Sequence, residues 1–219
     1  MTNAVFQNLS ADQTARFACI FRPTNYRRNQ IIFFEGGAAD HLFALNSGVV
    51  KLVKSLENGK ERIVRVLFAG ELFGLEALSE TTYPLTAVVL QDSKICAVPC
   101  RQFDAFLHSN PDISLEMIRF LLGEIAKIRR QMTTMSFKDA RARVAMFVLS
   151  LLSPRQTASA QSCSLTLPLT SHEMGEILEL SPETVSRAWS FLRHEGLVEK
   201  RGRRLVIQDL SGLQDAARH

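Results

Sequence analysis

Ser181-Pro182-Glu183-Thr184-Val185-Ser186-Arg187 opens the stretch that decides how the rest of the chain is read. Ser181 is a residue type that caps a helix with its side-chain oxygen. Pro182 suits the first helical position, where no backbone N–H is needed, and Glu183 puts a carboxylate where the helix dipole favours one. Val185, Ala188, Trp189 and Leu192 then recur at helical spacing, and Gly196 ends the pattern just after His194. The segment therefore reads as a helix with a buried stripe, its outer side carrying Thr184, Ser186, Arg187 and Ser190. Upstream, Thr170-Ser171-His172-Glu173 is a capping box, and Met174, Ile177 and Leu178 give the helix it opens an apolar side. Only Glu179-Leu180 separates the two. Two short helices joined so tightly make a helix-turn-helix.

The flanks extend this unit. Leu165 to Leu169 reads as a short strand. Leu197-Val198-Glu199, Arg201-Gly202-Arg203-Arg204 and Leu205-Val206-Ile207 read as a basic β-hairpin, or wing. Between Arg187 and Arg204 the basic residues Arg187, Arg193, Lys200, Arg201, Arg203 and Arg204 face only Glu195 and Glu199 as acids. This chemistry suits double-stranded DNA. Arg donates two bonds to guanine, Glu accepts from the cytosine amino group, and the start of a recognition helix is where base edges are met. Glu183, Ser186 and Arg187 are the expected base readers, with Glu183 and Arg187 four apart on one face and able to brace each other. Thr170, Ser171, Ser181, Thr184, Arg201 and Arg203 are expected on phosphates. A surface ion pair is the commoner meaning of Glu183 and Arg187 taken alone. Helix, turn, helix and basic hairpin in order outweigh it.

The N-terminal half has a different texture. Residues 9–21 read as a helix, and from Tyr26 to Pro99 short apolar runs alternate with Gly-bearing turns. Ile31–Phe34, His41–Leu45, Val49–Val53, Ile63–Leu67, Leu85–Leu90 and Lys94–Val98 are the predicted strands, and Asn58-Gly59 is a strong hairpin signal. Such spacing predicts an antiparallel sandwich or barrel. After Pro99 the pattern turns helical. Cys100–His108 is one short helix, and Asn110-Pro111-Asp112 opens a long one on which Ile118, Leu121, Ile125, Ile128, Met132 and Met135 recur in steps of three and four. That is a heptad seam, expected to pair two copies of the chain without a cofactor. Residues 136–139 are placed as a hinge, and Ala140–Leu152 as a further amphipathic helix. The whole reads as α+β: a β-roll over residues 1–109, a dimerisation helix and hinge over 110–137, and a winged helix-turn-helix over 138–219.

Bulk properties agree. The 219 residues are 46% apolar and 22% charged, enough for real cores, and the net charge of +4 is compatible with a polyanionic partner. The N-terminus lacks a basic region followed by an apolar run, no apolar stretch is long enough to span a bilayer, and Cys19, Cys96, Cys100 and Cys163 are scattered. A cytoplasmic chain with reduced thiols is expected. No phosphate-cradling glycine loop, metal-ligand spacing or nucleophile motif is found, so an enzyme is not expected.

With these elements placed, the chain resembles the CRP/FNR superfamily of transcription regulators from about Asn25 to Leu213. Gly48-Val49-Val50-Lys51-Leu52, Gly70-Glu71-Leu72-Phe73-Gly74 and Gly123-Glu124-Ile125 carry the likeness. Glu183-xx-Ser186-Arg187, Leu72–Leu78 followed by Pro84, and Cys96-Ala97-Val98-Pro99 resemble the FNR branch. The resemblance implies a cyclic-nucleotide-binding-type β-roll and a homodimer reading an inverted repeat of TTGAT-like half-sites. It implies activation through contact with RNA polymerase, for which the loop at Leu75 and Glu76 is the candidate.

The signals known in that family fit unevenly. A cyclic nucleotide would need an arginine for its phosphate, but Gly74-Leu75-Glu76 and Tyr83-Pro84 stand where the binding pattern is expected, and no arginine lies between Arg65 and Arg101. A [4Fe–4S] cluster usually needs four thiolates, and only Cys19 lies in the N-terminal part. Neither is expected. Haem stays open, with His41 and His108 as candidate axial ligands, and so does a thiol switch at Cys96 or Cys100, the latter beside Arg101 at a helix start. A regulator without a ligand is equally open. A haem or thiol-redox sensor, or a cyclic-nucleotide-type effector-binding module, is the alternative to a DNA-binding regulator whose β-roll answers an unknown signal.

Overall fold

The computed structural model describes residues 10–59, 61–134, 139–152, 163–167, 169–202 and 204–218, the side chains at 127, 128 and 130–134 excepted. The chain divides into two compact units, 1–126 and 127–219. The division falls inside the long helix, so the first part of the expected dimerisation element belongs with the β-roll.

In the first unit, α1 (Ala11–Cys19) starts at a capping box between Ser10 and Gln13. Strands β1 (Arg22–Tyr26), β2 (Ile31–Phe33), β3 (His41–Ser55), β4 (Glu61–Phe68), β5 (Leu72–Phe73) and β6 (Thr86–Pro99) follow, with a 3-10 turn at Leu75–Leu78. Helices α2 (Cys100–Ser109) and α3 (Pro111–Thr134) complete the run. The antiparallel sheet has the order β1-β6-β3-β4, with β2 also on β6 and β5 on β3.

Two pairs of predicted strands are single long strands. His41–Leu45 and Val49–Val53 join in β3, and Leu85–Leu90 and Lys94–Val98 join in β6, with three register shifts between them from Leu45 to Val50. Asn46-Ser47-Gly48 is therefore a bulged bend and not a chain reversal. Gly48 has φ +95°, and a Cβ there would meet Ser93 Oγ at 2.1 Å, so a side chain is excluded at the bend. The Asn58-Gly59 turn does join β3 to β4.

Alternation along β3 feeds two cores. Leu42 and Ala44 join Phe17, Phe21, Cys96, Val98, Phe103, Ile113 and Met117 under the helices, whereas Phe43 and Leu45 enter the roll with Val50, Leu52, Leu67, Phe73, Tyr83 and Ile95. Phe17 and Phe103 are fully buried, and each side chain of that size contributes about 1.5–3 kcal/mol of transfer free energy.

The second unit holds α4 (Ala140–Ser150), β7 (Cys163–Thr166), α5 (Ser171–Leu178), α6 (Pro182–His194), β8 (Val198–Arg201), β9 (Arg204–Ile207) and α7 (Leu210–Ala216). Its sheet runs β7-β9-β8. Strand β7 sits earlier than the predicted Leu165–Leu169, consistent with Pro168, which has no N–H to give a ladder. The expected hinge at 136–138 and Met135 lie outside the described residues. Met174, Val185, Ala188, Leu192, Leu205 and Ile207 form the interior here, each at most 2% exposed.

Candidate nucleic-acid interface

Helix α5 begins as its sequence requires. Thr170 Oγ1 accepts from Glu173 N at 3.1 Å, and Glu173 Oε2 accepts from Thr170 N at 2.8 Å. It ends at Glu179, which adopts φ +54°, and Leu180 N returns to Gly175 O at 2.9 Å. Gly175 is required by this turn, because a Cβ on it would lie 2.5 Å from Leu180 O. Ser181 Oγ then accepts from Thr184 N at 3.2 Å and starts α6.

Helix α6 presents the predicted sides. Val185, Ala188, Trp189 and Leu192 are buried, and Glu183, Ser186, Arg187 and Ser190 are exposed. The brace expected between Glu183 and Arg187 differs in detail. Arg187 leans on Thr184 Oγ1 at 3.4 Å. The Glu183 carboxyl is held below its ordinary range first by its own backbone N–H, then by the Ser181 hydroxyl, and least by the Arg187 charge. Both side chains remain exposed.

The expected phosphate residues divide similarly. The Thr170 hydroxyl donates to Glu173 at 2.9 Å and Ser181 Oγ lies 2.9 Å from Thr184 Oγ1, so three of these hydroxyls already serve caps. Ser171 stays half-exposed at the start of α5. Arg201 reaches along β8 to Glu199 at 2.6 Å and is 81% exposed, and Arg203 lies outside the described residues. Two other arginines of this unit are structural. Arg141 stacks on Phe191 with its guanidinium carbon 4.4 Å from the ring centre, and Arg143 donates to Leu178 O at 3.1 Å. Sequence reasoning missed a cleft of about 310 Å3 beside α6, lined by Ser171, Ser186, Trp189, Ser190, Arg193 and Lys200 among others. The spacing of Ser186, Ser190 and Arg193 on one helical face was the available signal.

On α3, Ile118 and Ile125 are exposed at 55% and 45%, as a seam requires. Leu121 departs from it. It packs on the core beneath α1, and Leu122, 60% exposed, stands on the open line with Leu115 instead. The physical reason is that Ile113, Met117 and the buried Glu124 fix which side of α3 faces its own unit, and Leu121 borders that side. The side chains of Ile128 and Met132 are outside the described residues. At the 3-10 turn, Leu75 packs partly against the same core and Glu76 is half-buried, while Leu78 is the exposed apolar residue.

The residues of the β-roll do not fit a cyclic nucleotide. Tyr83 stacks on Phe33 with ring centres 3.8 Å apart, and Phe43 stacks on Phe73 at 5.1 Å. The Tyr83 hydroxyl donates to His41 O at 2.6 Å, closing the loop that carries it, and the roll interior is filled by these rings. The haem candidates have local partners. His41 Nδ1 lies 2.7 Å from Asp40 Oδ1, and His108, 78% exposed, bonds Asp104 O. Among the described residues no group of three or more His, Cys, Asp or Glu is placed to hold a metal. Cys100 was expected to be activated by its helix start, but burial and then the Asp40 carboxylate push its thiol up. Burial also raises Cys96, whose sulfur accepts from Asn46 Nδ2 at 3.1 Å.

A β-roll, a long helix and a helix-turn-helix with an outward Glu-Ser-Arg set define a DNA-binding transcription regulator. Residues 23–110 match the cyclic nucleotide-binding domain family and residues 142–216 the Crp-like helix-turn-helix domain family. The chain belongs to the CRP/FNR superfamily, a family of transcription regulators and not of enzymes. It is 28% identical to the transcriptional activator protein FnrA of Stutzerimonas stutzeri over 187 residues, covering 85% of this chain and 77% of that one. It is 27% identical to the fumarate and nitrate reduction regulatory protein of Escherichia coli strain K12 over 200 residues, 91% of this chain and 80% of that one. The structure of FixK2 from Bradyrhizobium japonicum aligns with a TM-score of 0.78 at 26% identity, over 90% of this chain and 97% of that one. No described helix is long and apolar enough to cross a membrane.

Proposed function

We propose that the protein is a cytoplasmic activator that binds DNA as a homodimer, each α6 reading one TTGAT-type half-site of an inverted repeat. Glu183, Ser186 and Arg187 contact base edges. The observation that carries this reading is the exposed Glu183-Ser186-Arg187 set at the start of a helix whose opposite stripe is buried. A side chain so placed near a recognition-helix N-terminus reaches base edges in the major groove.

The dimer is supported by the exposed line Leu115, Ile118, Leu122 and Ile125, which recurs at steps of three and four over three turns. Activation is the role of the similar transcriptional activator FnrA, and here the 3-10 turn at Leu75–Leu78 is offered to RNA polymerase. The rings that fill the roll interior support a signal other than a cyclic nucleotide.

Selection of bound duplexes from a random pool, with and without air, tests the reading. An enriched inverted repeat with TTGAT-type halves is the expected result. Enrichment of an unrelated motif would overturn the base-reading assignment, and no enrichment would overturn sequence-specific binding itself.

A further inference from the structure

The cleft beside α6 is unusual in what lines it. Lys200 and Arg193 are cationic, Ser171, Ser186 and Ser190 bring hydroxyls, and no carboxylate is among the lining residues. Lys200 extends from the wing strand β8 so that its ammonium lies 5.0 Å from the centre of the Trp189 ring. Trp189 itself is 8% exposed, and its indole N–H has no acceptor among the described residues. Such an orphaned buried donor is uncommon in folded proteins and asks for a partner. Ser190 Oγ turns back to Ser186 O at 3.1 Å, and with Ser186 assigned to a base edge this leaves Ser171 as the hydroxyl to face an occupant. Burial pushes the Lys200 ammonium down, a cost that a bound anion would offset.

Cations and hydroxyls without an opposing acid form a site for a compact oxyanion. The lining joins the outer side of α6 to the wing and to Ser171 at the start of α5. Resting on the DNA-binding reading above, we propose that this cleft seats one phosphate of the DNA backbone, gripped by Lys200 and Arg193 over the Trp189 ring, with Ser171 as a neutral donor. The contact is sequence-independent. It fixes the register of α6 on the duplex so that Glu183, Ser186 and Arg187 meet the right base pairs.

Trp189 is the single tryptophan of the chain, so its fluorescence reports on this cleft alone. The test follows that emission in the full-length protein during titration with a random-sequence duplex, and separately with inorganic phosphate. It also measures how duplex affinity depends on salt. Lys200→Met keeps the aliphatic stem on the indole and removes the charge, and Lys200→Arg keeps the charge. The expected result is a change in emission on duplex binding and a salt slope shallower by about 0.9 in Lys200→Met, the loss of one phosphate contact. Lys200→Arg should restore the slope, and Arg193→Gln should lower it. An unchanged slope and a silent Trp189 in a parent that still binds its selected repeat would overturn the cleft assignment while leaving the base-reading proposal intact. Saturable emission change with low-millimolar inorganic phosphate that is indifferent to duplex would also overturn it, by assigning the cleft to a free anion. Failure to bind any duplex would sink both readings.

Discussion

Replacing Arg65 by Met removes the cation that ties the long helix to the β-roll. Arg65 on β4 donates from one nitrogen to Glu71 Oε1 at 2.6 Å and to Glu124 Oε2 on α3 at 2.7 Å. Glu71 also accepts from Phe68 N at 2.6 Å. Burial alone would lower the Arg65 guanidinium, but the charges and bonds of Glu71 and Glu124 outweigh it and hold it above its ordinary value. The Arg65, Glu71 and Glu124 side chains are 24%, 19% and 10% exposed, so the site is mostly but not wholly removed from water. Breaking a buried pair by removing one partner costs roughly 3–5 kcal/mol, and the remaining exposure places this case near the lower end, at about 3 kcal/mol. That is a large share of an ordinary stability of about 5–15 kcal/mol and should lower Tm by roughly 10 °C. Urea unfolding followed by circular dichroism would measure it. Arg65→Met leaves the carboxylates of Glu71 and Glu124 as like charges around the vacated guanidinium position, and protonating one of them relieves that repulsion. The folded state then binds more protons, so the deficit of the variant should shrink as pH falls from 7 towards 5. Adding Glu124→Gln should recover part of the loss at pH 7. A variant within 0.5 kcal/mol of the parent at pH 7, or a deficit that grows on acidification, would refute the reasoning.

Gly175→Ala gains helix propensity but forces a Cβ to 2.5 Å from Leu180 O, so it should destabilise the second unit by about 1–3 kcal/mol in denaturant unfolding. Leu122→Glu places a charge on the exposed line of α3 and should shift the protein from dimer to monomer by size exclusion with light scattering, whereas an apo parent already monomeric would contradict the seam. Asp112 is held down to about 2 first by Arg16 and then by Gln13, against an ordinary value of 3.8. Its contribution is therefore present above pH 4 and lost as pH falls through about 2, so the stability difference between parent and Asp112→Asn should vanish over that interval.

Much of the second unit was legible because its signals are local. Thr170 with Glu173, and Ser181 with Pro182, fix two helix starts within four residues each, and both caps form as written. The β-roll was legible in kind but not in connectivity. Asn46-Ser47-Gly48 carries turn chemistry, yet pairing with β6 keeps β3 continuous through it, and that long-range pairing leaves no local mark. Leu121 and Leu122 show the same limit on α3. Heptad counting admits either, and only the packing of Met117, Phe120 and Leu121 on the core beneath α1 decides that Leu122 is the outward one. The cleft at Trp189 was legible only along α6, in the spacing of Ser186, Ser190 and Arg193, since Lys200 reaches it from a separate strand.

The central claim is that Arg187 reads a base at the start of α6. Fluorescence anisotropy titration of the parent and Arg187→Ala, on a duplex carrying the TTGAT-type inverted repeat and on a scrambled duplex at one salt concentration, tests it most directly. The parent should prefer the repeat, and Arg187→Ala should lose about 1–3 kcal/mol on the repeat with little change on the scrambled duplex. Equal affinity of Arg187→Ala and the parent for the repeat would contradict it.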